Sequence, residues 1–176
     1  MYLLFYLFFT FIIYSFAGWV IEELYSKHST GRFKKEGFLK GPLKPMYGIA
    51  MTILIFYYEA LKIRGIPFII LCFLIPTTVE YISGYIMKHI FNKVYWDYSN
   101  LKFNIRGYVS LLFSCYWCAL SYVGVVYLNP LISYWYIGYK NLINYILAGI
   151  LLIFISDFII TIMSYNKIII YKKFNR

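Results

Sequence analysis

Acidic residues are scarce in this chain. Seven Asp and Glu stand against seventeen Lys and Arg in 176 residues, a net charge of +10, and charged residues make up 14% of the whole. That fraction, beside 62% hydrophobic residues, excludes an ordinary soluble domain, where about a quarter of residues are charged. Cysteine is limited to Cys72, Cys115 and Cys118, all inside apolar stretches. They read as small packing residues, and Cys115-x-x-Cys118 lacks a second pair nearby. The two histidines, His28 and His89, have no ligand spacing, so no metal site is expected. No Walker A loop, nucleophile elbow or HExxH helix is present, and no cofactor is expected. If ATP drives this protein, another chain binds it. No basic residue precedes the first apolar run, which predicts an uncleaved anchor rather than a signal peptide.

What the chain does have is apolar length. Residues 2–21 carry no charge, and about 20 residues at about 1.5 Å each cross a hydrocarbon core of about 30 Å. Five stretches read as spanning helices, at 2–24, 45–61, 66–88, 107–128 and 142–164. Numbering the connections alternately puts Lys27, Arg32, Lys34, Lys35, Lys40, Lys44, Lys88, Lys93, Lys102, Arg106, Lys167, Lys172, Lys173 and Arg176 on one side. Lys62, Arg64 and Lys140 fall on the other. A split of 14 against 3 is the positive-inside bias. The expectation is an all-α integral membrane protein: one domain over 1–176, a five-helix transmembrane bundle with its N-terminus out and its C-terminus in. The Tyr, Phe, Ile, Lys and Asn richness fits an AT-rich bacterial genome, hence a multi-pass protein of the bacterial cytoplasmic membrane. Topology accounts for the positive charge without nucleic acid. The basic side attracts the anionic inner leaflet, at about 1 kcal/mol per Lys or Arg near the surface.

Stripes of small and polar residues recur at helical spacing, most clearly Gly107, Ser110, Ser114, Trp117, Ser121 and Gly124. They suit close packing of helices in lipid. A faint parallel repeat relates Glu22 and Gly48 to Glu80 and Gly107, each a helix, an acid, an aromatic loop, a glycine and a helix. The intramembrane acids are the strongest sign of chemistry. Glu80 lies about 12 Å along its helix from Lys88, and Asp157 about 15 Å from Lys167. An acid at mid-bilayer costs about 2.5–3.5 kcal/mol on insertion scales, so it faces a cavity or a partner. The two readings are a proton, cation or acid/base site, and an ion pair or protonated hydrogen bond inside the bundle. Arg106 is the obvious partner for Glu80. Pro76, four residues before Glu80, suits either a kinked pocket helix or a plain membrane helix. Two long inner loops remain. Gly37 to Gly48 is punctuated by Gly41, Pro42 and Pro45, with Pro45 suited to a first helical turn. The other carries Trp96-Asp97-Tyr98-Ser99, a local turn with interfacial aromatics.

Five ordered blocks give a resemblance over roughly residues 15–130: Gly18-Trp19-x-x-Glu22, Gly37-Phe38-Leu39-x-Gly41-Pro42-x-x-Pro45-x-Tyr47-Gly48, Glu80-Tyr81, Trp96-Asp97-Tyr98-Ser99 and Phe103-Asn104. In them the chain resembles the bacterial membrane family of ABC-transporter type IV, or CmpB-like, permeases. It departs from that pattern at Lys35-Glu36, where the family carries Asn-Arg, and at Arg106-Gly107, where Arg precedes Gly. The resemblance implies a transporter permease component, with a separate ATPase subunit or a homo-oligomer as partner; it implies no substrate. The residues that would form its polar, cytoplasm-facing vestibule are Trp19, Glu22, Gly41, Pro42, Pro45, Tyr47, Glu80, Trp96, Asp97, Tyr98, Asn104, Arg106 and Asp157. Two other readings stand beside it. One is an accessory or scaffold subunit that docks through the loops. The other is a membrane enzyme acting on a lipid-headgroup or isoprenoid phosphate, with the acids and Arg and Lys at the inner surface.

Overall fold

A computed structural model describes residues 2–33 and 37–174, with side chains for 3–33 and 37–165. Lys34, Lys35 and Glu36, and the side chains of Lys167, Lys172, Lys173 and Arg176, lie outside the described residues. Helix α1 (Tyr2–Thr30) is followed by α2 (Pro45–Glu59) and α3 (Gly65–His89). A small antiparallel hairpin, β1 (Asn104–Ile105) with β2 (Val109–Ser110), leads into α4 (Leu111–Val123). A π-helical turn, Gly124–Leu128, joins α4 to α5 (Asn129–Gly138), and α6 (Lys140–Phe174) completes the chain.

Among the described residues, four helices are long and apolar enough to cross a membrane: Leu3–Thr30, Gly65–His89, Leu111–Gly138 and Lys140–Tyr165. Helix α2 has 15 residues, about 22 Å at the α-helical rise. It is short because it begins deep in the bundle. The Lys44 N–H donates to the Ser15 carbonyl at 3.0 Å, and Ser15 lies midway along α1. The loop before α2 therefore descends beside α1 before Pro45 opens the helix, where a missing N–H costs nothing. Close approach makes the descent work. A β-carbon at Gly18 would collide with the Tyr47 ring, and one at Gly48 with the Ser15 hydroxyl and the Phe11 carbonyl.

Two expected boundaries move. Gly107 does not open α4; it sits in the hairpin at φ +75°. The helix starts at Leu111, with the Ser110 hydroxyl accepting from the Phe113 N–H at 3.5 Å. The glycines of the proposed repeat are thus not equivalent, since Gly48 lies within α2. Residues 129–138, expected as connection, are helical. Pro130 cannot donate and its ring crowds the preceding turn. The turn widens instead, and the Asn129 N–H reaches the Gly124 carbonyl. Pro76, by contrast, is buried in an unbroken α3.

The bundle is closed at the end away from the loops. Tyr6, Tyr14, Leu54, Phe68, Val125 and Tyr136 form its core there. The Tyr14 hydroxyl donates to the Gly124 carbonyl and the Tyr6 hydroxyl to Asn129 Oδ1, both at 2.8 Å. Helix α1 packs on α2, α2 on α3 and α3 on α4, and toward the loop end a cleft parts the α1–α2 pair from the α3–α4 pair.

Gly48→Ala is expected to lower the unfolding temperature in detergent, since overpacking of this kind costs about 1–3 kcal/mol. Gly138→Ala, with nothing within 4 Å of the added carbon, is expected to leave that temperature unchanged. Equal shifts for the two would refute the close approach of α1 and α2.

Candidate functional site

Between the parted helix pairs lies a cleft of about 1550 Å³. Pockets for drug-sized ligands are smaller, about 300–1,000 Å³. Its walls come from α1, the first loop, α2, α3, the hairpin loop and α4. Most of the lining side chains are apolar or aromatic. The acids among the described lining residues are Glu22, Glu80 and Asp97.

Glu80 is 2% exposed. Its Oε1 accepts from the Tyr98 hydroxyl at 3.0 Å and from the Trp117 indole N–H at 3.1 Å. Its Oε2 is buried with no hydrogen-bond partner. No cation pairs with Glu80 among the described residues. The expected partner, Arg106, sits exposed in the hairpin at φ +55° and does not line the cleft. Arg106 lies five positions before Leu111, where α4 begins, so the hairpin rather than the helix carries the guanidinium. Glu22 is differently placed. Its Oε1 accepts from the Tyr47 hydroxyl at 2.9 Å and its Oε2 pairs with Lys44 Nζ at 2.7 Å. The Glu22 charge is thus balanced locally and the Glu80 carboxylate is not.

The aromatic rings are locked together around these acids. Tyr47 meets Trp117 edge-on at 5.2 Å, and Tyr98 stacks on Phe113 at 4.6 Å. The hairpin loop delivers Tyr98. Trp96 Nε1 donates to the Tyr108 carbonyl at 2.9 Å, and the Tyr98 N–H to the Gly107 carbonyl at 2.9 Å. The Asn104 amide donates to the Leu101 carbonyl at 2.7 Å, and its Oδ1 accepts from the Gly107 N–H. Asp97 Oδ1 accepts from the Ser99 N–H at 2.9 Å. That backbone bond holds the Asp97 carboxyl below its ordinary pKa. Burial, then the nearby Glu80 carboxylate, push the Tyr98 hydroxyl above its own. Trp96, Asp97 and Asn104 therefore shape the loop, and Tyr98 is what the loop presents to Glu80.

Asp157 fixes the other loop. Its Oδ2 accepts from the Gly41 N–H at 2.9 Å and its Oδ1 from the Lys40 N–H at 3.2 Å. Phe38 stacks on Tyr165 at 5.8 Å, which further ties that loop to α6. The structure thus brings Glu22, Pro45, Tyr47, Glu80, Trp96, Asp97 and Tyr98 to the cleft. Gly41, Asp157 and Asn104 hold its loops. Trp19 stacks on Phe16 at 5.7 Å and Pro42 is exposed, and neither lines the cleft. Sequence reasoning assigned Trp117 to helix packing and passed over Lys44. An indole in a stripe of serines was the available signal for the first.

Asp157→Ala is expected to destabilise the protein by about 1.5–3 kcal/mol for each charge-assisted bond lost. Limited proteolysis should then cut near Lys40 at least ten times faster. An unchanged cleavage rate would show that Asp157 does not hold the loop.

No curated protein and no solved structure matches the chain. The family model described as "Putative ABC-transporter type IV" matches residues 9–162, which covers α2 to α5, most of α1 and α6, and both loops of the cleft. The chain therefore belongs to that family.

Proposed function

We propose that this chain is the membrane-spanning permease component of a transporter and that the cleft is its substrate-handling site. The observation that carries the reading is Glu80: a carboxylate with one unpartnered oxygen, set deep in a helix of membrane-crossing length, on the wall of a large cleft. A group so costly to place in a membrane marks a substrate or ion pathway. Glu80 handles the cationic group or proton, and Glu22 with Lys44 shapes the mouth. Family membership supports association with other transporter subunits, and an ATPase supplied by a separate chain fits the missing nucleotide-binding motif.

In this reading the protein sits in the bacterial cytoplasmic membrane and crosses it five times. Helix α2 is the short fifth pass, completed on one side by the descending loop. The N-terminus is outside. The loop side, which carries the basic residues, faces the cytoplasm, and the cleft opens there while the tyrosine-rich end stays shut. A phosphate-directed enzyme fits less well. Lys44 is committed to Glu22, and Arg106 does not line the cleft.

Orientation is read with single cysteines in a background where Cys72, Cys115 and Cys118 are replaced. Lys62→Cys is expected to react with an impermeant maleimide on intact cells, and Lys102→Cys only in inverted vesicles. The opposite pattern overturns the inward-facing cleft. Subunit function is read by purifying the tagged protein from its native membranes in mild detergent. A stoichiometric nucleotide-binding ATPase is expected with it; recovery of this chain alone overturns the ABC-permease reading.

A further inference from the structure

The cleft is lined by residues of both α1 and α4. Ile21 and Tyr25 of α1, and Tyr116 and Leu120 of α4, line it. The same four residues are 40–60% exposed and belong to helices of membrane-crossing length. Tyr25 and Phe113 bridge the two helices only edge-on, at 6.4 Å. The gap between α1 and α4 is therefore a side opening with apolar lips, and its inner wall ends at Glu80.

Three features at that wall fix the charge and kind of ligand. The carboxyl oxygen lacks a partner, and a positive group placed beside it would favour the ionised form of Glu80. Tyr47, Tyr98 and Trp117 gather beside it, and aromatic faces attract organic ammonium groups. A hard metal ion needs six or more oxygen ligands for calcium, or near-octahedral ones for magnesium. Among the described residues no group of three or more His, Cys, Asp or Glu side chains could hold one. Among the described residues, the other charged groups lining the cleft are Glu22 and Lys44, which pair with each other, and Arg32 and Asp97, both exposed.

We propose that the cleft binds a membrane-dissolved cationic amphiphile, with its ammonium group at Glu80 among Tyr47, Tyr98 and Trp117 and its apolar chain in the gap between α1 and α4. This rests on the proposed function insofar as the same cleft is the substrate site, and it adds the substrate class. The side opening at membrane depth favours arrival from the lipid. Tyr98 is the one aromatic neighbour of Glu80 carried on a loop, so it is the residue that turns aside when the ammonium arrives.

The test uses the full chain in nanodiscs of neutral phosphatidylcholine, with empty nanodiscs as the partition baseline. The probe is dodecyltrimethylammonium below its micelle concentration, read by tryptophan fluorescence and by equilibrium binding of the radiolabelled ion. Saturable binding is expected, weakened at least tenfold by Glu80→Gln. Trp117→Phe keeps the ring and removes the N–H; it is expected to retain binding within about threefold. Tetramethylammonium, which lacks the chain, should bind at least a hundredfold more weakly. Dodecyl sulfate should not compete.

Glu80→Gln binding equal to wild type, by a variant that elutes as a single species, overturns the assignment. So does equal competition by dodecyl sulfate. If Glu80→Gln fails to fold, tetramethylammonium and dodecyl sulfate still decide between a cationic-amphiphile site and a non-selective apolar one. Tight binding of tetramethylammonium replaces the amphiphile with a soluble ammonium compound and also overturns it. Recovery without an ATPase strikes the permease reading and leaves this binding result standing.

Discussion

The descent of the first loop into the bundle is the constraint on which the remainder depends. A backbone without regular hydrogen bonds survives at membrane depth only when it is enclosed by protein or lines a cavity. In residues 37–44, Leu39 is buried, and Gly37, Phe38 and Lys44 line the cleft. Asp157 accepts from the Lys40 and Gly41 N–H groups, and the Ser15 carbonyl accepts from the Lys44 N–H. Without those acceptors the loop would rise to the surface, α2 would lose its starting level, and Lys44 would leave Glu22. One acid on the last helix thus positions the other acid's partner on the first.

The same constraint explains the asymmetry of the bundle. At the end away from the loops, tyrosine hydroxyls find carbonyl and amide oxygens across helices, and large aromatic side chains fill the space. At the loop end, the descending segment and the hairpin wedge between helix pairs that would otherwise meet. What they leave open is largely apolar, and of its two buried or half-buried carboxyl groups Glu22 has a lysine beside it, while no described cation pairs with Glu80.

The long apolar runs were legible because an uncharged run of about 20 residues has few other physical solutions. The depth of α2 was not. Counting apolar residues gives a length, whereas the level of Pro45 is set by a bond to Ser15, thirty residues earlier in the chain. The start of α4 was misplaced because Gly107 and Ser110 share a helical spacing with Ser114. Asn104, accepting from the Gly107 N–H, turns that spacing into a hairpin. The acids at 22 and 80 stood out in the sequence, and the cleft joins them. Their partners did not stand out: proximity on the loop side favoured Arg106, while Tyr98 and Trp117 hold Glu80. Asp157 read as a candidate for chemistry because backbone donors from a distant loop leave no trace in sequence.

The widened turn at Gly124–Leu128 sets the angular phase of everything after it. At 3.6 residues per turn, one residue is worth about 100° of rotation. The extra residue in that turn decides which side of α5 looks toward α1. In the present phase, Asn129 and Tyr136 face inward, fully buried, and Tyr6 has its acceptor. The length of that short segment, more than the identity of its side chains, therefore determines whether the far end of the bundle is sealed.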